Sequence, residues 1–176
     1  MPRVMTGEDI SRSLRRISHE IIEAHERVDD VVLVGIHTRG VYLARALGAS
    51  IDAISGSKLD VGELDIGLYR DDRNVRGDTE LKPTNVPDID GKNLIVVDDV
   101  LFTGRTVRAA LDALVDIGRA RTTELAVLVD RGHRELPIKA DYVGKNLPTS
   151  INEVVLVRLE EVDAREGVWI ESLVAA

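Results

Sequence analysis

The chain has 176 residues, 44% hydrophobic and 31% charged content, a formal net charge of −8 and no cysteine. That length suits one domain with a sizeable core, the missing cysteine excludes disulfides and thiolate metal sites, and the acidic balance excludes a surface that holds nucleic acid everywhere, though not one local basic face. The start, "MPRVMTGEDI", shows no apolar leader and no run approaches membrane-spanning length, so a cytosolic protein is expected.

In chain order, "TGEDISRSLRRISHEIIEAHERV" predicts a helix capped by Thr6 with an acidic first turn. At helical spacing Ile10, Leu14, Ile17 and Ile21 share one side, while Arg12, Arg15, Arg16 and His19 share the other. His25 is expected on the helix surface. "VVLVGI" (31–36) reads as a buried strand, followed by "HTRG" and a helical segment, "VYLARALGASIDAI". "ELDIGLY" (63–69) alternates as another strand. "NLIVVDDV" is a second buried strand, followed by a helix over 106–117 that stops at Gly118. "ELAVLVD" (124–130) is a third. "DYVG" and "EVVLVRLEEV" add two more, and "GVWIESL" closes an antiparallel hairpin.

Apolar strands alternating with helices imply an α/β fold, a mostly parallel doubly wound sheet covered on both faces, and one domain over 1–176. Ligands of such sheets sit beyond the carboxyl ends of the strands. Three strand ends carry unusual polar loops: "HTRG", "DDVLFTGRT" and "DRGHRE". The long polar segment 70–93, dotted with Gly and Pro, is a fourth feature of functional type.

The run "VVDDVLFTGRT" (96–106) poses the sharpest chemical question. Adjacent carboxylates repel and are costly to bury unless something polar meets them. Thr103, Gly104, Arg105 and Thr106 stand at a strand-to-helix turn, where backbone N–H groups and the helix dipole favour an anion. Asp98 and Asp99 are placed to accept hydrogen bonds from vicinal hydroxyls or to orient water on a magnesium ion. A sugar phosphate would explain both halves of the run. In the long segment, Lys82, Arg70, Arg73 and Arg76 could close over a polyanion, with Arg70 the foremost of them.

At this point the chain resembles the type I phosphoribosyltransferases, whose signature for phosphoribosyl pyrophosphate (PRPP) is a run of this kind. The resemblance implies that Asp98 and Asp99 contact the ribose hydroxyls, that Val100, Leu101, Phe102, Thr103, Gly104, Arg105 and Thr106 complete the substrate loop, and that its Leu101–Thr106 part holds the 5′-phosphate. It also implies that Thr38 and Arg39 donate to the leaving diphosphate, with Gly40 relieving the backbone, and that segment 70–93 is a flexible hood. Asp98, Asp99 and Arg39 are then the residues expected to carry catalysis.

"LYRDD", "LAVLVDRGHRELPIKADYVGKNLPTS" and "RRISHEIIE" sharpen the likeness. The chain resembles, nearly end to end, the bacterial family of bifunctional pyrimidine-operon regulators and uracil phosphoribosyltransferases. Its departures are Gly67 for Thr and Phe102 for Tyr. The resemblance implies transfer of ribosyl 5-phosphate to uracil, giving UMP, with the pyrimidine near Asp130 and Arg131 and with Val155 as a further contact. It implies Mg²⁺ carried by the substrate rather than by a protein cage. It also implies a basic face of Arg15, Arg16, His19, Arg134, Lys139 and Lys145 that binds the operon's leader mRNA under control of UMP or UTP, and a homodimer or higher homo-oligomer. Three alternatives stay open: a phosphoribosyltransferase for another base, an RNA-binding regulator with little catalysis, and an enzyme without the RNA role.

Overall fold

The structure is a computed structural model and describes residues 1–71 and 80–174. Its elements run β1 (Arg3–Thr6), α1 (Gly7–Ala24), β2 (Val31–Ile36), α2 (Arg39–Ser55), β3 (Asp60–Leu64), β4 (Asn93–Leu101), α3 (Arg105–Ile117), β5 (Thr122–Asp130), β6 (Tyr142–Asn146), β7 (Glu153–Arg158), α4 (Glu160–Asp163) and β8 (Gly167–Ser172). A five-stranded parallel sheet has the order β3-β2-β4-β5-β6, and a three-stranded antiparallel sheet has the order β1-β8-β7.

The apolar runs lie in the middle of the parallel sheet because both of its faces are covered. Ile10, Ile17 and Ile21 of α1 and Leu43, Leu47 and Ile51 of α2 pack on the face shown by Leu33, Ile95, Val97 and Leu128. Val107, Ala110 and Leu114 of α3 cover the opposite face, shown by Val32, Val34, Val96 and Val127. Each of these fully buried isoleucines contributes about 1.5–3 kcal/mol. The stripe on α1 falls as its spacing predicts. Thr6 caps that helix, accepting from the Asp9 N–H at 3.1 Å while Asp9 Oδ2 accepts from the Thr6 N–H at 2.8 Å.

Strand order reverses between β2 and β4. β3 lies to one side of β2, and β4 and β5 follow on the other. The crevice at that switch point is where an open parallel sheet offers room for a ligand, and "HTRG" and "DDVLFTGRT" open into it.

Several boundaries differ from the sequence reading. The strand expected over 63–69 runs instead over 60–64. Asp65 ends it, because its Oδ1 accepts the Gly67 N–H at 2.8 Å, an Asx turn that bends the chain away from the sheet. "EVVLVRLEEV" is not one strand. It breaks at Leu159 into the short helix α4, whose Asp163 Oδ2 accepts the Leu159 N–H at 2.9 Å. The terminal hairpin of β7 and β8 is present, and β1 joins it as a third strand. His25 is a correction of a different kind: it is 8% exposed, not on the surface. Its Nδ1 lies 2.8 Å from the Ile21 carbonyl one turn back and its Nε2 3.2 Å from the distant Glu124 Oε2, partners that make burial of the ring tolerable.

No helix among the described residues is long and apolar enough to cross a membrane.

Candidate active site

β4 delivers Asp98 and Asp99 at the carboxyl edge of the sheet, and the chain then turns through Gly104 into α3. Gly104 has φ +93°, a left-handed conformation, and a side chain there would meet Ile138 at 3.3 Å. Glycine therefore answers both the backbone and the close packing. Gly40 serves the neighbouring loop in another way: a Cβ on it would sit 2.5 Å from the Val97 carbonyl, so only glycine lets the start of α2 approach β4.

A cleft of about 380 Å³ opens over this turn, lined by Arg70, residues 100–107, Arg131, Val154 and Val155. It gathers most of the residues expected to meet the sugar phosphate and the base. The N–H groups of the first turn of α3, of which that of Arg105 donates to Thr103 Oγ1 at 3.3 Å, and the hydroxyls of Thr103 and Thr106 suit it to an anion. Arg70 Nη1 donates to Thr106 Oγ1 at 3.3 Å, which brings a cation to the same end. Arg105 contributes mainly backbone, since its guanidinium spans Glu135 Oε2 at 2.8 Å and Asp71 Oδ2 at 2.6 Å.

Asp98 is 7% exposed and its Oδ1 accepts the Asp99 N–H at 2.9 Å, while Asp99 Oδ1 accepts the Val100 N–H at 2.7 Å. Burial drives the Asp98 carboxyl well above the usual carboxylate range; the adjacent Asp99 charge pushes the same way, and Arg70 opposes it. The folded protein thus holds this proton more tightly than the unfolded chain, and stability is lost as pH rises from about 4, the ordinary aspartate value, through the raised one. Asp98→Asn removes that penalty while keeping an acceptor for the Asp99 N–H. Thermal melts across a pH series should therefore show the variant more stable than the wild type at neutral pH, with the gap closing towards acid. A uniform loss at every pH would contradict the assignment.

Thr38 and Arg39, expected to meet the diphosphate, stand where β2 leads into α2. Thr38 Oγ1 accepts from Lys82 Nζ, so this part of segment 70–93 reaches the loop. Arg39 makes a pair that sequence reasoning missed. Its Nε and Nη2 donate to Asp163 at 3.1 and 2.7 Å, and Arg158 Nη1 also donates to Asp163, at 2.9 Å. Arg73 and Arg76 lie outside the described residues.

Arg131, expected near the base, is 4% exposed. Its guanidinium stacks 4.0 Å above the Phe102 ring while Nε and Nη2 donate to Thr149 Oγ1 and the Ser150 carbonyl, both at 3.0 Å. Phe102, without the tyrosine hydroxyl, keeps its ring face for this contact. Val155 overhangs from β7. Asp130 does not line this cleft: its Oδ1 accepts the Gly132 N–H at 3.0 Å and its Oδ2 pairs with Arg134 at 2.5 Å.

The expected RNA residues divide. Arg15 and His19 are exposed on α1, Lys145 is exposed on β6, and Lys139 is exposed just before that strand. Arg16 donates to the Val143 and Gly144 carbonyls at 3.2 and 2.5 Å, tying α1 to β6, and it shares with Lys145 a polar cleft of about 370 Å³. Arg134 does not join them. It is turned inward, donating to the Ile138 and Phe102 carbonyls at 2.8 Å each and to Asp130, and so buttresses the 98–106 loop from behind.

The fold and cleft define a class, and comparison with known proteins agrees: the phosphoribosyl transferase domain family matches residues 5–161. A hypoxanthine-guanine phosphoribosyltransferase of Bacillus anthracis superposes with a TM-score of 0.74 at 20% identity, covering 99% of each chain. A hypoxanthine phosphoribosyltransferase of Staphylococcus aureus gives a TM-score of 0.72 at 22% identity, covering 98% of this chain and 92% of that one. These likenesses show the fold. The Bifunctional protein PyrR of Streptomyces coelicolor is 57% identical over 98% of this chain and 91% of its own. That of Halalkalibacterium halodurans is 57% identical over 97% of this chain and 98% of its own. The chain belongs to the bifunctional PyrR family of phosphoribosyl transferase proteins.

Proposed function

We propose that the chain, acting as a single phosphoribosyltransferase domain, transfers ribosyl 5-phosphate from PRPP to N1 of uracil, releasing diphosphate and UMP. The observation that carries this reading is the meeting, in one cleft, of the strand-end turn 100–106 with Arg70, Arg131 and Val155.

In this reading the 5′-phosphate sits on the N–H groups and hydroxyls of Thr103–Thr106, and the ribose diol donates to Asp98 and Asp99. The flat pyrimidine lies between the Phe102–Arg131 wall and Val155, its edge read by a few fixed polar groups. The sugar develops oxocarbenium character, and the Asp99 carboxylate near the end of β4, next to the residues that line the cleft, favours positive charge there. Arg39 and Thr38 hold the departing diphosphate, with Lys82 reaching the same loop. No general base is assigned.

Asp98 and Asp99 offer hard oxygen donors that would orient water on a Mg²⁺ ion carried by the diphosphate, an ion that would neutralise the leaving charge. A base panel with PRPP tests the reaction: uracil should be turned over in preference to hypoxanthine, guanine and orotate. Preferential use of any of those overturns the uracil assignment.

The second function proposed is binding of a pyrimidine-operon leader transcript in the cytoplasm, favoured by UMP or UTP. Exposed Arg15 and His19 on α1, Lys145 on the adjoining β6 and Lys139 before that strand support it as basic residues on an acidic chain, suited to the phosphates and unpaired bases of an RNA loop. A homodimer or larger homo-oligomer belongs to the same reading.

A further inference from the structure

Asp163 stands at the end of α4, some 124 residues along the chain from Arg39. Its side chain is 8% exposed and accepts the Nε and Nη2 of Arg39, the Nη1 of Arg158 and the N–H of Leu159. Four donors on one nearly buried carboxylate fix its position closely, and the paired contact fixes the plane of the Arg39 guanidinium. The pair occupies one edge of that fork and leaves Nη1 without a hydrogen bond among the described residues. Arg39 also feels the Asp99 charge, so the guanidinium lies within electrostatic reach of the strand-end acids. A free arginine at this loop would have to order a long side chain at the moment of binding, and could instead fall onto the acids.

We propose that Asp163 is the positioning residue for Arg39, gripping its Nε–Nη2 edge so that the Nη1 edge faces the diphosphate of PRPP. This deepens the proposed function and rests on it. It also gives the small antiparallel sheet a role. α4 follows β7 directly, and β7 carries Val155, so one rigid unit touches the base with its strand and orients the diphosphate arginine with its helix. The two ends of the transferred bond are thereby referenced to a single body, as a displacement between them requires.

Calorimetric titration of PRPP and of UMP, each in magnesium buffer, tests the role. UMP has no diphosphate, so Arg39 should matter little to it. Asp163→Asn should weaken PRPP binding about tenfold, the loss of one well-oriented charge-assisted contact, and leave UMP affinity within about twofold. In an Arg39→Met background the same substitution should have no further effect on PRPP. Asp163→Glu keeps the charge but displaces it, and should also weaken PRPP selectively; it stands in if Asp163→Asn does not fold. Unchanged PRPP affinity in either folded variant overturns the positioning role, as does equal weakening of both ligands, the mark of a merely structural residue. If the unaltered protein binds UMP but not PRPP, the phosphoribosyltransferase reading falls, and the positioning role with it.

Discussion

Asp99→Asn should lower uracil turnover by roughly a hundredfold, with RNA retention nearly unchanged. The size follows from what the carboxylate does in the proposed reaction. It accepts hydrogen bonds from ribose hydroxyls and favours the positive charge that grows on the sugar. A hydrogen bond to a charged partner contributes about 1.5–3 kcal/mol, and each 1.4 kcal/mol is a factor of ten in rate. Asparagine keeps an oxygen that can accept from the Val100 N–H, now at 2.7 Å, so the turn should hold its shape. The basic residues of α1 and β6 belong to other elements, and their RNA contacts should survive. Steady-state rates and filter binding on the same preparation decide the matter. Turnover within a few-fold of wild type would mean that Asp99 does not touch the reacting sugar.

Arg134→Ala is expected to damage stability and catalysis, whereas His19→Ala should impair RNA binding alone. Sequence reasoning groups these residues on one basic face, and the structure separates them. The Arg134 guanidinium closes the loop 130–138 by holding the Ile138 carbonyl and Asp130, and it braces the 98–106 turn through the Phe102 carbonyl. Removing it leaves a carboxylate and two carbonyls without their donor in a half-buried setting. The cost should be about 2 kcal/mol of stability, less than the 3–5 kcal/mol of a fully buried pair because water still reaches the site. The turn it supports should loosen with it. His19 is exposed and helical, so its loss should leave the melting temperature and uracil turnover at wild-type values. The pair of variants is read by melting temperature, turnover and leader-RNA retention. Normal catalysis in Arg134→Ala would show that the brace is dispensable, and unaltered RNA retention in His19→Ala would remove α1 from the RNA face.

What the sequence made legible is local. The Thr6 cap and the isoleucine stripe of α1 follow from neighbours three and four residues apart, and the strand–turn–helix at 96–106 from a run of eleven residues. Periodicity and turn chemistry read such features directly. The parallel sheet was likewise legible from alternating apolar runs and helices. What escaped depends on partners far along the chain. β1 is a short edge strand that declares itself only through β8. His25 looks like a surface residue until Glu124 arrives. The Arg39–Asp163 pair and the inward turn of Arg134 are ion pairs and carbonyl contacts whose members carry no local signature, since a charged side chain reads as solvated until its partner is known. Glu160–Val162 read as strand because "LVRLEEV" keeps an apolar rhythm, and the Asp163 N–H donating to the Leu159 carbonyl at 2.8 Å overrides it.

The most direct test of the whole account is a crystal structure of the protein soaked with PRPP and magnesium. The account predicts both ribose hydroxyls within hydrogen-bonding distance of Asp98 and Asp99, and the 5′-phosphate on the N–H groups of residues 103–106. A ligand found with its phosphate on another element, or a ribose turned away from the two aspartates, would contradict it.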